Sequence, residues 1–267
     1  MFITDYGKHH AKSTVSKYNS LIHACVKDAI YDGVIAKDFV QNTNIVFNRK
    51  KTRVIDYLSI DEMNRLVNYI LKTKNPNFTS KYMILLAIYT GARLGELQAL
   101  TWKDINFNFK TISITKSWHE GLQKFKDTKN ESSKRIIRVN ESVLTVLKDL
   151  KLKNKDMVFK NQYSTVPTSS GVNKTLRECL KACEIDKPSF HFHSLRHTHV
   201  AFLLSKGIDL YIISKRLGHS DISTTSRVYS YLIDEYKMKS DNEIESALST
   251  IGAPNVHQNL KTIRNIT

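Results

Sequence analysis

Three cysteines, Cys25, Cys179 and Cys183, are all that this chain of 267 residues contains. They do not form a disulfide framework. Cys179 and Cys183, four apart on an expected helix, read as core packing in a reducing, cytoplasmic compartment. A continuous apolar run of about 18 residues is also absent, which excludes a simple membrane-spanning helix. The opening MFITDYGKHH has no apolar signal core. Acidic residues are too few to balance the basic ones: 25 Asp and Glu against 41 Lys and Arg leave a formal charge of +16. That excess favours a polyanionic partner, nucleic acid before membrane. The length allows one large or two smaller domains and is ample for a buried core.

Taken in order, Tyr18, Leu21, Ile22, Cys25, Val26 and Ala29 recur at helical spacing, with Gly33 as a stop, so residues 13–32 are expected to form a helix. A second short helix is expected from Ile35 to about Val40. Asn48 to Arg53, NRKKTR, is a polar basic stretch between periodic segments, and residues 48–56 read as an interdomain linker lying on backbone phosphates. Ser59-Ile60-Asp61-Glu62 is a capping box opening a helix whose core face carries Met63, Leu66, Val67, Ile70 and Leu71. After a break at Asn75-Pro76-Asn77, Tyr82 to Tyr89 is nearly all apolar, so that helix is buried on most sides. It delivers Thr90-Gly91-Ala92-Arg93. Arg93 is thereby held at the edge of the core, with Glu96 close enough to pair with it, fix the turn or orient it.

Ile112 and Ile114, then Ile137 and Val139, alternate with polar residues and predict two strands, with Ile105 and Phe107 on a third. Glu120 to Ser133 between them reads as a polar, lysine-rich loop. Val143–Leu150 and Val172–Cys183 are amphipathic helices. Ile244, Ala247, Leu248 and Ile251 form a stripe on a last helix, docked on its own domain or on a neighbouring protomer. Residues past Pro254 read as a polar tail.

The stretch from Phe190 to Tyr231 organises the rest. Ser194 can cap a helix that carries Leu195, Phe202 and Leu203 inward and stops at Gly207. Asp209 can cap the next, with Ile212, Ile213 and Leu217 on one face and Gly218 as its stop. Asp221 or Ser223 can open a third that presents Val228, Tyr229 and Leu232. Short turns then bring His193, Arg196, His219 and Tyr229 together.

TGARLGEL around Arg93, HSLRHTH around Arg196, LGHSDISTT around His219 and VYSYL around Tyr229 make the chain resemble the tyrosine recombinases, the phage-integrase family, over residues 10 to 240. The combination in this order is specific where any one piece would be weak. The resemblance implies a mainly α fold with a small antiparallel β-sheet. It divides the chain into a partial helical core-binding domain (1–47), the basic linker (48–56), a catalytic recombinase domain (57–240) and a C-terminal helix and tail (241–267). The family's core-binding domain usually has more helices than the two expected here, and the N-terminal arm-binding domain of many phage integrases has no counterpart.

It also implies a mechanism. Arg93 and Arg196 would hold the nonbridging oxygens of a scissile phosphate, since guanidinium is always charged and donates in a planar fork. His219 would donate a further hydrogen bond there. His193 would accept or relay the proton of Tyr229, the nucleophile, which forms a 3′-phosphotyrosyl link. Lys129 would protonate the departing 5′-hydroxyl, with Lys126 the alternative. Tyr231 and Tyr236 compete with Tyr229, which the family spacing after Leu-Gly-His selects. No metal or other cofactor enters. The partners implied are double-stranded DNA attachment sites, a homotetramer assembled on them, and an excisionase or a host DNA-bending protein. The activity would be integration or excision of a phage genome or other mobile element.

Three other readings stand beside this one. A type IB topoisomerase-like enzyme would share the residue logic but act on one duplex. A DNA-binding regulator would use Leu210–Leu217 as part of a helix-turn-helix, leaving Arg93, Arg196 and Tyr229 unexplained. A metallohydrolase would use His191, His193, His197 and His199, a cluster that lacks acidic ligands.

Overall fold

The structure is a computed structural model. It describes residues 2–51, 55–128, 130–151, 156–223, 225–226, 228–229 and 244–250. The chain divides into two compact units, Met1–Ile55 and Asp56–Thr267.

The first unit contains α1 (Phe2–Lys8) and α2 (Lys12–Tyr31). Gly7 is where backbone crosses α1: a Cβ there would meet the Val46 carbonyl oxygen at 1.9 Å, so no larger residue fits. Val15, Val26 and Val40 are buried. Tyr18, Leu21 and Cys25 of the expected apolar stripe are exposed instead. The helix expected at Ile35–Val40 does not form; that segment is turns and bends. Asp38 supplies the reason. Its carboxylate accepts the backbone N–H groups of Val40 and Gln41 and pairs with His23 Nε2 at 2.7 Å, which favours a turn over a helix.

The second unit is built around α4 (Ser80–Thr90). Tyr82 to Ile88 are buried without interruption, as expected of a helix with no polar face. Packed on it are α3 (Ile60–Thr73), α5 (Leu94–Gln98), α6 (Glu141–Lys151), α7 (Ser169–Ala182) and α8 (Phe192–Ser205). The Ser59 capping box forms with both reciprocal bonds. Met63, Leu66 and Ile70 face the core, while Leu71, expected there, is exposed. α9 (Leu210–Leu217) follows α8. Residues 222–223, 225–226 and 228–229 are helical, as are 244–249.

One sheet has the order β1 (Ile105–Asn106), β2 (Thr111–Ile114), β5 (Arg135–Arg138), all antiparallel, with Ile112 opposite Ile137. The segment read as a loop, Glu120 to Ser133, holds a strand, β4 (Lys124–Asp127), which pairs as a hairpin with β3 (Lys116–His119) just before it. All four β4 residues are exposed, so no inside–outside alternation marks the strand. Cross-strand contacts hold it: Trp118 packs edge-on to Phe125 at 5.3 Å, and Lys116 lies over the Phe125 ring. The domain is thus mainly α with small antiparallel sheets.

Candidate active site

Two helix ends create the site. α4 ends at Gly91, in the left-handed region (φ 65°), and α9 ends at Gly218 (φ 72°). Each leaves backbone carbonyls without helical partners and with the negative end of the helix dipole. Arg196 on α8 fills that need. It donates from Nη1 to the Gly91 carbonyl (2.7 Å) and from Nη2 to the Leu217 carbonyl (2.8 Å), and is 3% exposed. A Cβ on Gly91 would come within 2.8 Å of His199 and Leu217 side chains. A Cβ on Gly218 would come within 3.0 Å of the Ser133 Cα. Glycine therefore serves both the turn and the close approach.

α8 begins two residues before the expected Ser194. His191 is its N-cap, and Ser194, at the third helical position, exchanges hydrogen bonds with it. Asn173 also accepts the Phe192 backbone N–H (2.8 Å), and Phe192 is buried. Extending the helix to Phe192 buries that ring and places His193 within the first turn. The Asp209 cap forms as expected, accepting from Tyr211 and Ile212. Of the expected α9 face, Ile213 and Leu217 are buried, but Ile212 is exposed.

Arg196 Nη2 also donates to His219 Nε2 (2.8 Å). Arginine has no acceptor, so His219 Nε2 must accept, and its Nδ1–H donates to Thr225 Oγ1 (2.7 Å). Burial, then Arg196, Arg93, Arg135 and His193, push the His219 pKa down to about 4. Burial is also the main reason the Arg196 pKa falls to about 9, which leaves it charged at neutral pH. His199 repeats the pattern behind it. Its Nδ1–H donates to the Ile88 carbonyl (2.8 Å), and its Nε2 accepts from Arg216 Nε (3.2 Å).

Arg93 caps α5. Glu96 accepts its backbone N–H (2.9 Å) and its Nη1 (2.8 Å). The same buried carboxylate takes both terminal nitrogens of Arg135, at 2.8 and 3.2 Å. Burial raises the Glu96 pKa most among single influences, yet Arg135 and Arg93 together hold it below the usual carboxylate range. Arg135 also donates to the Arg216 and Ser133 carbonyls. One guanidinium thus ties β5 to α5 and to the end of α9.

Tyr229 is 2% exposed, and its hydroxyl lies 2.7 Å from His197 Nδ1. The His193 ring stands edge-on to His197 at 5.0 Å.

These groups enclose a cavity of about 290 Å³, lined by Arg93, Asn130, His193, Arg196, His197, Gly218, His219, Ser220, Val228 and Tyr229. Five of the six expected site residues therefore meet: Arg93, His193, Arg196, His219 and Tyr229. Lys129 lies outside the described residues, although its neighbour Asn130 reaches the cavity. The alternative, Lys126, is on the exposed strand β4. Tyr231 and Tyr236 also lie outside the described residues. Of the four clustered histidines, His191, His193 and His197 form a row of neighbouring rings that ends at Tyr229, while His199 turns away to the α4 carbonyl.

Sequence reasoning missed His197 as a partner of Tyr229, and the supports Arg135 and Thr225. The first two carried signals. His197 is four residues after His193, on the same helix face. Arg135 shares a strand face with Ile137 and Val139, so the period-2 pattern puts a cation on the buried side. Thr225 carried none.

The helical array with its small antiparallel sheets defines a tyrosine-recombinase catalytic fold. It superposes on the Tn1549 transposon integrase, solved with a circular intermediate DNA, with a TM-score of 0.72 at 20% identity over 83% of this chain and 76% of that one. The chain belongs to the phage integrase family, whose profile matches residues 56–235. It is 30% identical to an integrase of Staphylococcus phage L54a over 224 residues, 76% of this chain and 62% of that protein. It is 26% identical to a XerC-like tyrosine recombinase of Caldanaerobacter subterraneus over 263 residues, 87% of this chain and 66% of that protein. The chain thus spans just under two thirds of the length of these two relatives. Among the described residues, no helix is long and apolar enough to cross a membrane.

Proposed function

We propose that this chain is a site-specific DNA recombinase that cleaves and rejoins strands through a 3′-phosphotyrosyl intermediate, integrating or excising a mobile element. The observation that carries the reading is the single cavity shared by Arg93, Arg196, His219, His193 and Tyr229. Two guanidinium groups and an imidazole around one buried phenol suit a phosphodiester under attack by an aromatic oxygen.

The roles follow from the chemistry. Arg196 and Arg93 hold the nonbridging oxygens. His219 Nε2 presently accepts from Arg196; when the phosphate replaces that contact, the anion favours the imidazolium, so the ring takes a proton from solvent at Nε2 and donates it in a hydrogen bond to a nonbridging oxygen. Lys129, next in sequence to the cavity-lining Asn130, protonates the 5′-oxygen as it leaves. Tyr229 attacks phosphorus and conserves the bond for rejoining. His193 serves proton movement at the exposed end of the row of rings.

DNA binding is supported by the +16 charge and by the DNA held in the Tn1549 integrase structure. Met1–Ile55 acts as the partial core-binding unit, and the Arg49–Lys51 turn contributes backbone contacts from the linker. Four protomers assemble on two sites. Residues 244–250 are all exposed on this chain, Ile244 and Leu248 among them, which suits docking of that helix on a neighbouring protomer. An excisionase or DNA-bending protein sets direction, and the protein works in the cytoplasm on the nucleoid.

The test is covalent trapping. A nicked duplex is first recovered from a randomised pool by its ability to form an adduct with the chain. Wild type is expected to give a protein–DNA adduct resistant to denaturation, and Tyr229→Phe none. Failure of wild type to form one from any duplex would sink the reading, and an adduct persisting in Tyr229→Phe would move the nucleophile elsewhere.

A further inference from the structure

The hydroxyl that attacks must lose a proton of ordinary pKa near 10. His197, one position after Arg196 in the chain, lies at hydrogen-bond distance from it, 2.7 Å. A ring so close to the reacting atom is more than packing.

We infer that His197, with its own proton on Nε2, is the proton acceptor for Tyr229 during strand cleavage. This rests on the proposed recombinase reading. The step balances as follows. The Tyr229 O–H bond breaks and its proton passes to the lone pair of His197 Nδ1, making imidazolium. The freed oxygen electron pair forms the bond to phosphorus. The bond from phosphorus to the 5′-oxygen breaks, and that oxygen takes a proton from the Lys129 ammonium. Rejoining reverses each transfer, so His197 returns the proton to the departing tyrosine.

Three features favour this assignment. The contact joins two separate elements, α8 and the helical segment carrying Tyr229, and helix geometry does not force it. The His193 ring stands edge-on to His197, and Arg196 and His191 act on it electrostatically from the same helix and its N-cap. Burial first, and then those neighbours, bring the His197 pKa down to about 4, so the ring is neutral and able to accept. An incoming phosphate carries the opposite charge beside Arg196, offsetting the cations that keep His197 unprotonated. Its proton affinity therefore rises when substrate is present. His193 sits one ring further out, exposed at the cavity wall.

The test uses single-turnover cleavage of the nicked duplex selected with wild type, and compares His197→Ala with His197→Asn. Asparagine can retain a hydrogen bond to the phenol but cannot take its proton. Both variants are expected to form adduct about 100-fold more slowly, the scale of a lost general base. Cleavage of a duplex with a 5′-bridging sulfur separates the two ends of the reaction, because a thiolate leaves without a proton. The His197 deficits should persist on sulfur, while a Lys129→Ala deficit should largely vanish. Melting curves and duplex binding matching wild type keep folding apart from chemistry, and asparagine serves if alanine fails to fold. A wild-type rate in His197→Asn would reduce the residue to positioning and overturn the inference. So would rescue of either variant by sulfur. Absence of any wild-type adduct would instead count against the recombinase reading itself.

Discussion

Arg196 and Arg93 reach the same cavity from differently built ground. Among the described residues, the hydrogen-bond partners of Arg196 are all dipoles: the carbonyls ending α4 and α9, and a neutral imidazole. No carboxylate hydrogen-bonds it among the described residues. Beneath Arg93 there is a buried carboxylate, Glu96, shared with Arg135. Dipoles offset the cost of burying a cation without cancelling its charge, so Arg196 keeps its full charge for an anion. A carboxylate neutralises part of the charge and fixes geometry instead. The first arrangement is suited to binding and the second to bracing.

The sharpest way to break this contrast is Arg196→Lys. An ammonium keeps the charge but cannot reach two helix ends and an imidazole in one plane. Adduct formation should fall by about 10³-fold, the upper range for losing a preorganised donor. Arg93→Lys should lose about 10²-fold at most, the lower range. Equal losses in single-turnover assays would mean the two foundations do not differ in function.

Glu96→Gln tests the brace. It leaves two guanidinium groups, one of them buried, without their counter-charge, and should destabilise the domain by about 3 kcal/mol. The urea midpoint reports it, and an unchanged midpoint would dismiss the bracing role.

Acid distinguishes the two grounds further. His197, His199 and His219 have pKa values below the ordinary 6.5 in the folded chain, at about 4, 3 and 4. The unfolded chain therefore binds more protons as pH falls below 6.5, and stability drops progressively towards pH 4. Glu96, also depressed, adds its loss only below its unfolded value near 4.5. Denaturation midpoints should thus begin to fall near pH 6.5 in wild type and in Glu96→Gln alike. The extra acid loss below about pH 4.5 should be missing from the variant.

The smallest effect is expected from Thr225→Val. It removes the acceptor of the His219 Nδ1–H within the packed segment, where Thr225 is fully buried. The cost should be about 1 kcal/mol, with adduct formation slowed roughly tenfold as the imidazole loses its orientation. A rate equal to wild type would show that Arg196 alone orients His219.

How much was legible depended on where the governing interactions lie. The Ser59 box, the Asp209 cap, the buried run of α4 and the stops at Gly91 and Gly218 are local, and each was readable. The β3–β4 hairpin escaped because β4 buries nothing, so its residues carry no pattern of sides. The Ile35–Val40 segment looked helical by its apolar spacing, but Asp38 took the backbone donors for a turn. α8 started early because Asn173, from another helix, satisfies the Phe192 N–H. Glu96 was expected to pair with Arg93, fix its turn or orient it, but its second cation, Arg135, comes from a strand 39 residues away.

The amino-acid order alone determined most of the catalytic-domain helices, the cationic character and the set of side chains able to handle a phosphate, because caps, periodicity and motif spacing act over a few residues. Folding in three dimensions decided which partner each of those side chains received. It set Arg196 on two helix ends, Glu96 between two arginines and Tyr229 against His197. Those pairings arise from burial that brings remote polar groups together, where each must find a partner or pay in lost solvation.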